Sequence, residues 1–187
     1  MNQTRCSWAN MANPRYIAYH DHEWGVPCHI ETTLFEMLNL EGAQAGLSWE
    51  TILNKRDSYR AAFDDWDAEK IARYDEAKVA ELLANPGIVR NKLKVAAAIT
   101  NAKAYLAMRE QGLTLDAYLW GWVDGKPVVS DWPDGARPAR TELSDRISKD
   151  LSKRGFKFVG STIVYAYLQG IGVVDDHDRA CFRHAER

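Results

Sequence analysis

The chain has 187 residues, 46% of them apolar and 27% charged, with a formal net charge of −2; this fits one folded domain and argues against a surface built to coat nucleic acid. No run approaches the roughly 18 uninterrupted apolar residues of a membrane span, and the opening MNQTRCSWANMANPRY lacks the apolar segment of a secretory signal, so the expected compartment is the cytoplasm, without membrane contact. Three cysteines, Cys6, Cys28 and Cys181, make neither a disulfide scaffold nor a four-cysteine iron–sulfur site.

In chain order, the first strong periodicity predicts a helix from Thr33 to Ala45, with Leu34, Leu38, Glu41 and Ala45 stacked on one face. Gly46 stops it, and Ser48 is placed to cap a second helix that carries Trp49, Ile52 and Leu53 together. Asp67 and Asp75 are N-caps for two further helices, the second running through Leu83. Asn85-Pro86-Gly87 forces a tight turn before a long helix, Asn91 to Gln111, whose apolar positions include Leu93, Ala96, Ala97, Ala104 and Leu106. Residues 124–140 contain Asp124-Gly125, Trp132-Pro133-Asp134-Gly135 and Pro138 and read as loop. An amphipathic helix from Glu142 to Arg154 ends at Gly155, and an apolar helix from Ser161 to Gln169 ends at Gly170. With no repeat, no long linker and no parallel-sheet pattern, the expectation is one all-α domain over residues 1–187.

Three features carry chemistry. Glu41 puts a carboxylate on an otherwise apolar helical face, which is costly unless something compensates it. Cys6 with His20 near one end, and His177 with Cys181 near the other, supply the donor set of a closed tetrahedral zinc site. Cys28, His22, His29 and His184 compete for those places, and Asp176 is available to accept from a ligating imidazole. Finally, ELLANPGIVRNKLKV joins two helices by a Pro-Gly turn, so that the backbone N–H groups beyond Gly87, together with Arg90 and Lys92, can meet a phosphate backbone. Lys94 extends that basic group, and Lys149, Lys153, Arg154 and Lys157 form a second; solvated helix faces would look the same. Seven tryptophans and eight tyrosines are enough to fill a core and also line a pocket for a flat base.

RCSW (5–8), YIAYHDHEWGVP (16–27), LFEMLNLEGAQAGLSW (34–49), GIVRNKLK (87–94), RGFKFVGSTI (154–163) and DDHDRAC (175–181) occur in an order that resembles the 3-methyladenine DNA glycosylase I family over nearly the whole chain. The resemblance implies an all-α, two-lobed helix-hairpin-helix glycosylase fold, the hairpin element spanning about residues 76–110 and the terminal segments meeting at one structural Zn2+ on Cys6, His20, His177 and Cys181. It places a base pocket on Trp8, Tyr16, Tyr19, Glu41 and Trp49, and a loop that fills the gap left by an extruded nucleotide on Gly46 and Leu47. A wedge at Leu47 would have to be exposed, whereas a core leucine would not. Tyr16 and Tyr19 share a face if their stretch is helical. The implied activity is hydrolysis of the N-glycosidic bond of 3-methyladenine in alkylated double-stranded DNA, with Glu41 reading the base and no obligate protein partner.

Two departures matter. The usual Gly-hydrophobic-Gly hairpin is here Gly87-Ile88-Val89, leaving one backbone N–H less accessible; and Asn91, with Lys92 beside it, stands where bifunctional relatives carry a nucleophilic lysine, which implies a monofunctional enzyme. A zinc-stapled DNA-binding module without catalysis would not need residues 40–49, a metal-dependent hydrolase would need an open coordination position, and a glycosylase of shifted specificity would differ at neighbours such as Ala43.

Overall fold

The computed structural model describes residues 3–133 and 136–184. Helix α1 (Pro14–His22) starts with proline at its first turn behind Asn13, whose side chain accepts from the Arg15 N–H. Helix α2 (Glu31–Gln44) follows and is buried continuously from Leu34 to Ala43, the mark of a helix covered on all sides. It touches α3 (Trp49–Asn54), α7 (Lys92–Glu110), α8 (Leu115–Gly121) and α10 (Ser161–Gly170), so it is the axis on which the rest is assembled.

Between α3 and α7 come α4 (Arg56–Ala62), a single 3-10 turn at Asp64–Trp66, α5 (Ala68–Ile71) and α6 (Glu76–Ala84). The caps read from the sequence are formed: Ser48 accepts from Thr51 N, Asp67 from Glu69 N and Lys70 N, and Asp75 from Lys78 N. Asn91 caps α7 from outside, accepting from Leu93 N and Lys94 N, so that helix begins one residue later than its periodicity suggested. Helix α9 (Glu142–Lys153) opens with a reciprocal Thr141–Ser144 capping box and packs on α10.

The structure corrects the all-α expectation in one place: Val128–Val129 (β1) and Val174–Asp175 (β2) pair in parallel, Val128 opposite Val174. Two residues per strand are too few to leave a period in sequence. Helices α1, α4 and α8 also went without defined bounds in the sequence; α4 and α8 have seven residues each, hardly two turns. Leu93, expected among the apolar positions of α7, is 70% exposed on its first turn, and Ala96 is exposed as well. The Asp134-Gly135 part of the expected 124–140 loop lies outside the described residues. No helix among the described residues is long and apolar enough to cross a membrane.

Two arrangements bear on the site. The segment before α1 and the segment after β2 are laced together: Phe182 N donates to Thr4 O at 2.8 Å and Ser7 N to the Asp178 carboxylate at 2.8 Å. The 155–160 loop is clamped through Asn101, which accepts from Lys157 N (2.7 Å) and donates to Asn39 Oδ1 on α2 (2.9 Å). Phe158, at φ +53°, then lies so close over Gly42 that a Cβ there would come within 3.0 Å of the Phe158 Cβ. Glu41 therefore sits on a turn of α2 pinned from outside.

Candidate active site and metal centre

A cavity of about 280 Å³ opens among α1, α2, α3 and α10. Trp8, Tyr16, Tyr19, Glu41 and Trp49, the five residues singled out for a base pocket, all line it. Helix α1 does run through Tyr16 and Tyr19, and both turn to the same side. The rings form a box: Tyr19 and Trp49 have centroids 5.3 Å apart at 46°, Trp8 and Tyr16 are 5.6 Å apart edge to face, and Trp8 stands edge-on to Trp24 at 4.8 Å. The indole N–H groups of Trp8 and Trp49 are buried and meet no acceptor among the described residues.

Glu41 is 4% exposed, and no donor among the described residues hydrogen-bonds to its carboxyl. Burial alone pushes that carboxyl up to about 8. Tyr19 is likewise driven upward by burial and then by the neighbouring Glu41. A carboxyl under such pressure will readily ionise opposite a cation, because a positive charge nearby offsets the lost hydration.

Sequence reasoning missed other lining residues: Trp24, Gln44, Arg137, Ala166 and Gln169. Trp24 stands within the YHDHEWG motif without an assigned role, whereas Arg137 lies in an aperiodic loop that gives no signal at all. In the sequence Gly170 signals only the end of a helix. A Cβ on it would lie 2.9 Å from Met37 Cε and 3.0 Å from the Tyr19 hydroxyl, with Glu41 Oε1 at 3.5 Å, so its bareness lets α10 pack directly against the side chains of Tyr19 and Glu41. Gly170→Ala is expected to cost about 1–3 kcal/mol through overpacking, a melting temperature lowered by roughly 5 °C in thermal denaturation. An unchanged melting temperature would mean that Met37 swings aside freely.

At the rim, Ala45–Ser48 turn from α2 into α3. Gly46 has φ +77°, and Leu47 is 38% exposed, which disposes of the core-leucine alternative. Gln44 Nε2 donates to Leu47 O at 2.6 Å, and Lys94 Nζ from α7 donates to the carbonyls of Ala43 (2.7 Å) and Ala45 (2.6 Å) at the end of α2. The rim is thereby tied to the helix that follows the Pro-Gly turn. In that turn Gly87 N donates to Asn85 Oδ1 (2.8 Å) and Val89 N to the Tyr59 hydroxyl (3.2 Å), so two of the hairpin amides are already engaged. A Cβ on Gly87 would meet Ser58 Cβ at 2.9 Å. Arg90 and Lys92 are exposed beside it.

Behind the aromatic box, Cys6, His20, His177 and Cys181 converge, all four buried, with donor atoms within 4.8 Å of one another. His20 donates from Nδ1 to Asp21 at 2.8 Å, and its Nε2 accepts from the Cys6 amide at 3.2 Å, so Nε2 is the unprotonated nitrogen. Burial lowers the His20 pKa, keeping the ring neutral, as a metal ligand must be. His177 donates from Nδ1 to Asp175 Oδ1 at 2.6 Å. This corrects the expectation that Asp176 would play that part: the Asp176 carboxylate is held instead by Gln169 Nε2 at 2.7 Å and by the Tyr165 hydroxyl. Burial, with Cys181 nearby, pushes the Cys6 thiol up to about 12. Two thiols and two imidazoles, each imidazole backed by a carboxylate, fit a metal ion, whose charge would offset the burial that holds the Cys6 thiol protonated. The competing donors lie elsewhere: His22, Cys28 and His29 line a separate cavity, and His184 is 3.5 Å from Asp131.

The metal cluster and the cavity share a wall. Trp24 stands edge-on to His177 at 4.7 Å, and Trp8 lies 5.2 Å from His20.

The profile of the methyladenine glycosylase family matches residues 8–184. A DNA-3-methyladenine glycosylase 1 of Escherichia coli is 47% identical over 178 residues, 95% of each chain. A crystal structure of 3-methyladenine DNA glycosylase I superposes with a TM-score of 0.93 at 48% identity, covering 96% of this chain and 98% of that one. A second, of a variant of such an enzyme in complex with 3-methyladenine, superposes with a TM-score of 0.90 at 34% identity, covering 95% and 96%.

Proposed function

The chain belongs to the methyladenine glycosylase family, and on that premise we propose that it excises 3-methyladenine from alkylated double-stranded DNA, the first step of base excision repair. The observation that carries the reading is Glu41, a buried carboxyl lining an aromatic box and meeting no donor among the described residues.

A base inside a duplex cannot enter such a box, so the nucleotide must be extruded at a cost of a few kcal/mol in lost stacking. Leu47, apolar and exposed on the turn between α2 and α3, is suited to fill the gap, with Gly46 allowing the turn. Arg90 and Lys92, exposed beside the Gly87 turn that places them, would hold the backbone next to it, and this 76–110 segment would serve as the helix-hairpin-helix of a single, two-lobed domain.

3-Methyladenine carries a positive charge while attached to its sugar. Tyr16, Tyr19, Trp8 and Trp49 offer electron-rich faces for stacking and cation–π attraction. The incoming charge draws the Glu41 carboxyl into its ionised form, which accepts from the exocyclic amine. Guanine presents an oxygen there, and two acceptors would face each other. When the C1′–N9 bond breaks, its electron pair neutralises the base; water adds hydroxide to C1′ and releases its proton to solvent. The leaving group needs no further acid, which fits a cavity whose one lining carboxyl among the described residues is Glu41.

One Zn2+ on Cys6, His20, His177 and Cys181 would be structural, since two thiolates and two imidazoles complete its coordination. It would anchor the segments that carry Trp8 and Trp24. We place the enzyme in the cytoplasm as a monomer. Asn91, which stands where bifunctional relatives carry the nucleophilic lysine, spends its side chain capping α7, and this supports a monofunctional enzyme. On a duplex with one alkylated adenine, strand breaks should appear only after hot alkali, and borohydride should trap no covalent adduct. A borohydride-trapped adduct would sink monofunctionality, and a duplex that stays intact after alkali would sink the excision reading.

A further inference from the structure

Arg137, between β1 and α9, lines the cavity although the base proposed to enter it is itself a cation. Its side chain is only 16% exposed. One amino group is fully spent: Nη1 donates to Asp178 Oδ1 at 2.7 Å and to Asp176 O at 3.0 Å. Asp178 is itself fixed by Ser7 N (2.8 Å) and Ser7 Oγ (3.1 Å), and the guanidinium carbon stands 5.6 Å from the Trp24 ring centroid. The guanidinium is thus held in one orientation from two sides. Its Nε and Nη2 hydrogens meet no acceptor among the described residues, and neither atom is among the buried ones left without a partner, so this edge is open.

A locked guanidinium with one free edge is a receptor for a forked anion, since adjacent N–H groups match two oxygens of a phosphate. A cationic base gains nothing from it. The nearest anion that travels with the base is the phosphodiester of the same extruded nucleotide, which must come to rest at the mouth once the base is seated. We propose that the Nε/Nη2 edge of Arg137 is a phosphate subsite at the mouth of the base pocket, holding the backbone of the extruded nucleotide; this rests on the base-excision reading above. Arg137 then acts in positioning: it anchors the strand, while Glu41 and the aromatic box read the base.

The test compares the wild type with Arg137→Gln and Arg137→Lys on a duplex bearing a tetrahydrofuran abasic analogue, over a salt series. Arg137→Gln is expected to weaken binding about tenfold and to lower the slope of log K against log salt by about 0.9, one phosphate contact. Arg137→Lys keeps the slope but loses part of the affinity, because a point charge cannot fork. Affinity for free 3-methyladenine, read by tryptophan fluorescence, should stay within about twofold of wild type. Unchanged affinity and slope for the duplex would overturn the subsite. So would a parallel loss of free-base affinity, which would mean that Arg137 only straps the loop to Asp178. Wild-type release of 3-methyladenine from alkylated DNA is the separate control: its absence would fell the excision reading, whatever Arg137 does.

Discussion

Glu41→Gln should cut 3-methyladenine excision by about 100-fold, the scale of losing one charge aimed at the reacting group, while making the protein more stable above neutral pH. Both effects come from one cause. The carboxyl is buried and meets no donor among the described residues, and its pKa stands at about 8 in the folded chain against an ordinary 4.5. Below pH 4.5 it is protonated in both the folded and the unfolded states, and burial carries no ionisation penalty. Between 4.5 and 8 the unfolded chain ionises while the folded one holds its proton, so stability falls as pH rises, by up to about 1.4 kcal/mol per pH unit. Glutamine has the same shape and no such penalty. Thermal denaturation should therefore find the variant and wild type close together at pH 5, with the variant ahead by roughly 10 °C at pH 8, as a gain of about 3 kcal/mol would give. An equal gap at both pH values would show that Glu41 is not the strained group described here. Loss of activity without this gain would point to damaged packing instead.

Removing the proposed zinc should be the most damaging change to the fold. Cys6 and His20 lie on one terminal segment, His177 and Cys181 on the other, and an ion held by all four ties ends that otherwise fray. Other bonds share the load: Arg5 pairs with Asp21 at 2.7 Å, and Phe182 N donates to Thr4 O at 2.8 Å. The loss should accordingly fall short of the roughly 10–16 kcal/mol seen when zinc folds a small finger. Elemental analysis is expected to find one zinc per chain. Cys181→Ser, or chelation under mild denaturant, should lower the melting temperature by roughly 10 °C. Tryptophan emission should change as well, because Trp8 and Trp24 rest on His20 and His177. Metal-free protein that melts with the zinc-loaded form would refute the structural role.

Much of the site is legible in the sequence because it is local. Glu41 and Trp49 flank one helix end, Tyr16 and Tyr19 share one helical face, and the caps Ser48, Asp67 and Asp75 act within three residues. The four metal donors are chemically distinctive even when far apart. What is not legible depends on tertiary placement. Asp175 and Asp176 are neighbours of the same type; pairing of β2 with β1, through Ser130 N to Asp175 O at 3.0 Å, helps decide which one faces His177. Arg137 lies in a loop without period, and only the meeting of that loop with Asp178 brings it to the cavity. Leu93 looks like a core residue by type, yet it stands 70% exposed on the first turn of α7. Gly170 matters for a hydrogen that three side chains from two other helices require.

The most direct test of the pocket chemistry is to incubate dimethyl-sulfate-treated duplex DNA with the protein and identify the free bases by chromatography. Release of 3-methyladenine, with 7-methylguanine left in the polymer and release by Glu41→Gln nearly abolished, is the expected result. Equal release of both bases, or undiminished release by the variant, would contradict a carboxylate that reads the amine edge of a cationic adenine.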